Sequence, residues 1–457
     1  MRSGGEAVLA SGTDPELPWS TILAFSVANL PAAAMGIAVY VFLPAFFSGR
    51  LGVAMSVVGG VWMGVRLFDI PVDVVLALLM DRTRTRLGRY RFWLVLSAPA
   101  LMIPLWRLFT APYGFSAGYL TVWLFALYLG MSMNSLAVSA WGATLATRYH
   151  ERSRLFGVLS AMGVLGSLSV TLIPVLGKTL GGLNADQALG WFVIALAPLS
   201  VAVAAPLTPE PLGSLRKTEG LGGLNGFWAV FRRPELLRLF LAQVALSLGP
   251  GWMSALYMFF FTRAWRFTEA QASFLLSLYV IAAAPGAMAA AALARRIGKH
   301  RSLIAATTGF SLGLLSIFVV PKGNVAAAAP AVAWAGFTAA SFGLMIQAML
   351  ADVGDVLRLE HGQERTSLVY ALNGLATKLA GALSIGLTFP LLQRLGFDPT
   401  DGATNSPAAL DHLTVAFIAG PIVFVMLGGV CVLGWRLDAE RQAEVRAALR
   451  ERALDAP

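Results

Sequence analysis

Residues 61–91 read VWMGVRLFDIPVDVVLALLMDRTRTRLGRYR: an apolar run with Arg66, Asp69 and Asp73 near its middle, closed by the basic segment Arg82–Arg91. About 20 mostly apolar residues wound as a helix cross the ~30 Å hydrocarbon layer, because the backbone polar groups then pair within the segment. An ionised side chain near the centre of such a helix costs ~2.5–3.5 kcal/mol. Three of them within eight residues must therefore face a protected interior and not lipid. Asp69 and Asp73 are four apart and share a helix face, with Arg66 one turn before Asp69. Two clustered carboxylates offer hard oxygen ligands to a small cation, or one of them takes a proton when no cation is there. The competing reading is an ion-pair cluster that only tethers helices.

The same pattern, an apolar run ended by charge, extends over the whole chain. Of 457 residues, 57% are hydrophobic and 13% charged, against about 25% charged in soluble domains. Twelve spans are predicted, at 20–47, 53–80, 92–111, 116–147, 155–177, 189–207, 237–262, 267–293, 303–320, 326–355, 367–393 and 410–435. The net charge of +10 would suit a nucleic-acid binder if it were clustered on one surface. Most Lys and Arg instead fall in alternate inter-span segments, Arg82–Arg91, Arg148–Arg154, Arg216–Arg238, Arg295–Arg301 and Arg436–Arg452. That alternation predicts a multi-pass membrane protein with both termini cytoplasmic; a bacterial inner membrane is the expected location. Nucleic acid is not an expected partner; lipid is. Cys431 is the only cysteine, so no intrachain disulfide forms, and His150, His300, His361 and His412 lack metal-ligand spacing.

The longest polar interval divides the chain. The predicted organisation is a cytoplasmic segment 1–19, a six-helix bundle 20–207, a cytoplasmic linker 208–236, a second six-helix bundle 237–435 and a cytoplasmic tail 436–457, expected to be a helix. The bundles echo each other: TRTRLGRYR after span 2 resembles LARRIGKHR after span 8. Gly88 and Arg89 match Gly298 and Lys299, 210 positions on (298 − 88), and Glu151-Arg152-Ser153 matches Glu364-Arg365-Thr366, 213 positions on (364 − 151). A duplicated bundle implies alternating access around a central site.

Lys378, in NGLATKLAGALSIGL of span 11, is a buried cation that needs an anion. Facing Asp69 and Asp73, it would occupy the ion's place when the site is empty, with Arg66 as second coupling residue. The two basic connections are candidate gates: Asp81, Arg82, Gly88, Arg89 and Arg91 in one half, and Arg295, Arg296, Gly298 and Lys299 in the other. Asp352 and Asp355, at the cytoplasmic end of span 10, are anionic partners for them. Candidate cavity residues are Asn29, Trp141, Ser160, Tyr279, Gln347 and Asn373. A nucleotide-driven pump is excluded, since Gly177-Lys178-Thr179 lacks the first P-loop glycine, Leu172 standing there. No nucleophile lies beside a base inside a span, so the chain is not read as an enzyme and no cofactor is expected.

Span 2 with its loop, SAWGATLATRYHERSRLFG (Ser139–Gly157) and MLADVGDVLRLEHGQERTSLVYALNGLATKLAGALS (Met349–Ser384) resemble the glycoside-pentoside-hexuronide:cation symporter family. The resemblance implies an all-α membrane protein of the major facilitator fold. It places Asp69 and Asp73 on the family's cation-site aspartates and Lys378 on its span 11 lysine. It also implies symport of a small organic solute with Na+ or H+ by a monomer. The cation set read this way is Asp69, Asp73, Asn134 and Ser135. The sugar machinery departs from the pattern: span 1 has no acid, Ser135 stands at the span 4 acid, span 5 has no Arg, and Val74 replaces the usual Pro after Asp73. A sugar or glycoside is the leading expectation, and an amphiphilic or lysolipid-like substrate the alternative.

Overall fold

The computed structural model describes residues 17–146, 149–176, 185–210, 233–361, 366–437 and 439–454. Nearly all of the predicted 1–19 segment and most of the 208–236 linker lie outside the described residues, as do Gly177-Lys178-Thr179 and Glu364-Arg365. Among the described residues twelve long helices run in sequence: α1 (Trp19–Arg50), α2 (Met55–Arg82), α3 (Tyr90–Phe109), α4 (Ala117–Leu145), α5 (Tyr149–Leu176), α6 (Ala185–Leu207), α7 (Pro234–Ala264), α8 (Glu269–Ile297), α9 (Lys299–Val319), α10 (Val325–His361), α11 (Thr366–Arg394) and α12 (Pro407–Cys431). A shorter α13 (Ala439–Leu454) follows. Eleven of the twelve are long and apolar enough to cross a bilayer. The other, α2, carries Arg66, Asp69 and Asp73, which make it less apolar without shortening it.

The helices form two bundles of six, the architecture the sequence predicts, and the neighbours repeat. In the first half α1 packs on α5, α2 on α4, and α3 on α4 and α6; in the second, α7 packs on α11, α8 on α10, and α9 on α10 and α12. The halves meet through α2 with α11 and through α5 with α8, two contacts that the duplication makes equivalents of each other.

The repeat reaches backbone detail. α1 ends in a π-helical turn, Phe46–Arg50, and α7 ends in another, Phe260–Ala264, 214 positions on (260 − 46). In each, a wide bond closes the turn (Leu51 N–H to Phe46 O, 3.1 Å; Trp265 N–H to Phe260 O, 3.1 Å) and a wider one follows (Val53 to Phe47, 3.0 Å; Phe267 to Phe261, 2.9 Å). Ser48 Oγ donates to Pro44 O at 2.6 Å and Thr262 Oγ1 to Met258 O at 2.7 Å, again in register. Pro71 inside α2 and Pro285 inside α8 have the same spacing (285 − 71).

Several boundaries differ from expectation, α5 for one beginning at Tyr149 and not at 155. α10 runs on to His361, so Asp352 and Asp355 lie in the helix body and not at its end. The second basic connection shrinks to one residue: Arg295 and Arg296 close α8, Lys299 opens α9, and Gly298 turns the chain between them at φ 88°, a region only glycine enters at little cost. α12 stops at Cys431, short of the predicted 435. The tail helix docks: Gln442 and Val445 are buried, and Gln442 Nε2 donates to Asp355 Oδ2 at 2.8 Å on α10.

Candidate functional site

A charged cluster crosses the α2–α11 contact. Asp69 is fully buried. Its Oδ2 accepts from Arg66 Nη1 at 2.8 Å and from Lys378 Nζ at 2.7 Å, and its Oδ1 accepts from Ser132 Oγ of α4 at 3.1 Å. Lys378 also pairs with Asp73 Oδ2, and the other oxygen of Asp73 is buried without a hydrogen bond. Arg66 lies over the Tyr128 ring, 4.8 Å from its centroid. Two carboxylates thus face two cations, one of them delivered from the other half.

Small residues allow that reach. A Cβ on Gly59 would stand 3.0 Å from the Ile385 carbonyl oxygen and 3.0 Å from Pro390; one on Gly386 would stand 2.7 Å from Met63 Cβ. One on Gly381 would stand 2.6 Å from the Tyr40 hydroxyl and 3.4 Å from Arg66 Nε. Backbones that approach this closely, as glycine permits between membrane helices, bring an ammonium on α11 within bonding distance of α2.

The structure brings Arg66, Asp69, Asp73 and Lys378 together. It places Asn134 and Ser135 differently: Asn134 is buried with Nδ2 3.4 Å from Ser97 Oγ, and Ser135 is exposed. The hydroxyl that reaches Asp69 is that of Ser132, one turn after Tyr128. The four-residue spacing of Tyr128 and Ser132 marks the face of α4 turned to α2; Asn134 lies on another face, and Ser135, one turn beyond Ser132 on the same side, makes no bond to Asp69.

Beside the cluster, and between the halves, lies a cavity of about 330 Å³, within the range of small-molecule pockets. α1 contributes Tyr40, α7 Ser247 and Ser254, α8 Tyr279, and α11 Thr377 and Ser384; Arg66 is the one formal charge in the described lining. Its Nε is buried and has no hydrogen-bond partner. Of the six cavity candidates only Tyr279 lines this space. Asn29 Nδ2 donates to Leu159 O at 2.8 Å, Ser160 Oγ to Phe156 O at 2.8 Å, and Trp141 Nε1 to Pro209 O at 3.3 Å. Gln347 is exposed, and Asn373 sits one turn before Thr377, whose Oγ1 donates to its carbonyl at 3.0 Å.

The gate candidates pair inside their own halves. Arg89 pairs with Asp81, and its Nε donates to Met80 O at 2.9 Å. Lys299 Nζ meets Asp352 Oδ2 at 2.5 Å and Ala348 O at 3.1 Å. Arg82, Arg295 and Arg296 are exposed. The sequence reading missed Glu210. Its carboxylate crosses from the end of α6 to accept from the N–H groups of Arg89 (2.7 Å), Tyr90 (2.7 Å) and Arg91 (3.2 Å), the start of α3. Gly88, at φ 112°, leaves room for it, since a Cβ there would run into the carboxylate. Arg91 Nη2 adds a bond to Thr208 O at 2.6 Å. An anion at a helix N-terminus satisfies donors that have no partner in the helix and meets the positive end of its dipole. Glu210→Ala is therefore expected to lower stability by about 1–2 kcal/mol, and Glu210→Gln by less. An unchanged thermal midpoint of the Ala variant in detergent would refute the cap.

At the opposite end the halves touch. Asp401 N–H donates to Gly49 O at 2.9 Å, Ser56 N–H to Gln393 Oε1 at 2.6 Å, and Arg263 Nη2 pairs with Asp401 Oδ1 at 2.5 Å within the second half. The connection between α11 and α12 is folded on itself: Asp398 N–H donates to Asn405 Oδ1 at 2.7 Å and Thr400 N–H to Asp398 Oδ1 at 2.9 Å. That backbone bond holds the Asp398 carboxyl below its ordinary pKa, so the tie persists at neutral pH and is lost as pH falls through the lowered value.

A family model described as MFS/sugar transport protein matches residues 24–439. The isoprimeverose transporter of Lactiplantibacillus pentosus is 23% identical over 92% of this chain and 89% of its own length. The glucuronide carrier protein homolog of Escherichia coli (strain K12) is 22% identical over 94% of this chain and 95% of its own. Among solved structures, the nucleoside transporter NupG superposes with a TM-score of 0.67 at 11% identity, covering 92% of this chain and all of that one (100%). At that identity the likeness concerns the fold.

Proposed function

This chain belongs to the MFS/sugar transport protein family, and from that premise we propose that it is a cation-coupled symporter of a sugar or small glycoside, working by alternating access between its halves. The observation that carries the proposal is Lys378 of the second half paired to both Asp69 and Asp73 of the first, beside a cavity that both halves line. Na+ or H+ takes the place of Lys378 on the aspartates. Once released, Lys378 no longer ties α11 to α2, and the two conformations differ in their affinity for the ion, which is what coupling requires. Arg66 bonds Asp69 and also lines the cavity, so substrate and ion share one side chain. The hydroxyls of Tyr40, Ser247, Ser254, Tyr279, Thr377 and Ser384 suit a polyhydroxylated solute, whose own hydroxyls lose water and need partners. The names of the two relatives, one an isoprimeverose transporter and the other a glucuronide carrier homolog, point to the same chemical class.

The end bearing Gly49 and Gln393 faces the periplasm of a bacterial inner membrane in this proposal, and the basic connections and both termini face the cytoplasm. The halves are residues 20–207 and 237–435, joined by 208–236, and the unit of transport is the monomer. Purified protein in liposomes is expected to accumulate a saccharide or glycoside against its gradient when a Na+ or H+ gradient is imposed, and not otherwise. Its ligand is expected to stabilise it by ~2.7 kcal/mol at 100 times Kd. Saccharide flux indifferent to both ion gradients would overturn symport.

A further inference from the structure

α2 begins without a cap of its own. Its N-cap residue is Ala54, which has no side-chain oxygen to offer the first-turn N–H groups. The duplicate shows what is missing. Thr268, at the start of α8, lies 214 positions after Ala54 (268 − 54), the offset that also relates the two π-turns and the prolines Pro71 and Pro285. There the box is complete: Thr268 Oγ1 accepts from Gln271 N–H at 3.2 Å, and Gln271 Oε1 accepts from Thr268 N–H at 2.9 Å. Ala54 and Val57 stand where Thr268 and Gln271 stand. In their place Gln393, near the end of α11 in the other half, reaches across so that its Oε1 accepts from Ser56 N–H at 2.6 Å.

We propose that Gln393 is a positioning residue of the transport cycle: a helix cap supplied to α2 by the opposite half, which favours the state closed at this end. A cap made within one half, like that of α8, is the same in every state and biases none. One made across the interface is present only while the halves meet, and parting them hands the Ser56 N–H to water. α2 is also the helix that carries Asp69 and Asp73, so the cap acts on the element whose movement the coupling ion controls. The inference goes beyond symport itself, since it concerns the balance between conformations and not the identity of ion or solute.

The test uses the full chain with Cys431→Ser and Ser254→Cys, Ser254 lining the central cavity on α7. The rate of modification by a membrane-impermeant maleimide is measured on intact cells. Gln393→Met, which keeps length and removes the acceptor, is expected to speed modification about fivefold, the range for one lost cap being roughly 2- to 30-fold. Gln393→Glu, which keeps an acceptor oxygen, retains the slow rate. With Ala54→Asp, whose two carboxylate oxygens reach the second and third N–H groups of the helix, Ser56 N–H is capped within its own half, and Gln393→Met then changes the rate by less than about twofold. An equal acceleration on both backgrounds assigns Gln393 a packing role only and overturns the proposal, as does no acceleration at all. Should every variant react only after permeabilisation, the orientation proposed above is reversed, and the ratios between variants still decide the cap.

Discussion

Asp69→Asn and Asp73→Asn are each expected to abolish ion-driven accumulation while exchange of substrate down its own gradient survives. Two carboxylates one helical turn apart in a membrane interior need neutralisation by a cation, a proton or a basic group. Here Arg66 and Lys378 supply it when no ion is bound. An amide at either position keeps the shape and removes the charge on which, in the proposed cycle, Na+ or H+ competes with Lys378, so the accumulation ratio is expected to fall to about one. The two variants differ in cost. Asp69 is fully buried and accepts from Arg66, Lys378 and Ser132, and breaking a buried pair costs about 3–5 kcal/mol. Asp73 is only partly buried, so Asp73→Asn is the milder change and the cleaner reading of coupling. Counterflow and gradient-driven uptake in the same liposomes separate the two activities. Unchanged Na+- or H+-driven accumulation in both variants would remove these residues from the coupling site.

Lys378→Met is expected to uncouple in the opposite sense. Without its ammonium the two carboxylates keep only Arg66, and the ion that replaces the missing charge binds more tightly because nothing competes for its place. Stability should then depend steeply on the coupling ion: at a concentration equal to the parent's Kd, a 100-fold tighter site contributes ~2.7 kcal/mol against ~0.4 kcal/mol in the parent. Net transport falls, since the ion is no longer driven off by a returning lysine. A thermal midpoint of Lys378→Met with the same Na+ and pH response as the parent, together with normal accumulation, would show that the lysine is a static tether.

The fold was legible because the membrane permits few solutions. Apolar runs of sufficient length, basic residues sorted to alternate connections and a repeat of fixed spacing leave little besides two six-helix bundles. The meeting of Lys378 with Asp69 and Asp73 was legible for a related reason: ionised groups in hydrocarbon are costly enough to imply one another. Ser132, Tyr40, Ser247 and Ser254 carry no such cost. A hydroxyl can bond its own helix, as Ser160 does, so polarity within a span does not reveal which face meets the cavity. Glu210 was hidden by distance, since its partners stand about 120 positions away, at Arg89 to Arg91. Gly298 made one connection shorter than its basic residues implied. The tail helix, read as cytoplasmic, gains a seat on α10 through Gln442 and Val445, two residues without a distinguishing pattern.

The matched π-turns at the ends of α1 and α7 separate what the two halves share from what only one of them carries. Both halves carry the turn at the same place, with the same wide hydrogen bonds and the same hydroxyl behind them. The charged cluster has no such twin. At the offset of the turns, Arg66, Asp69 and Asp73 correspond to Val280, Ala283 and Ala287 in YVIAAAPGAMAA (Tyr279–Ala290), a stretch without charge. The turns are thus common to both halves, whereas the charged cluster belongs to one. A reconstructed ancestor with two identical halves would keep the turns, and would carry its charges either twice or not at all.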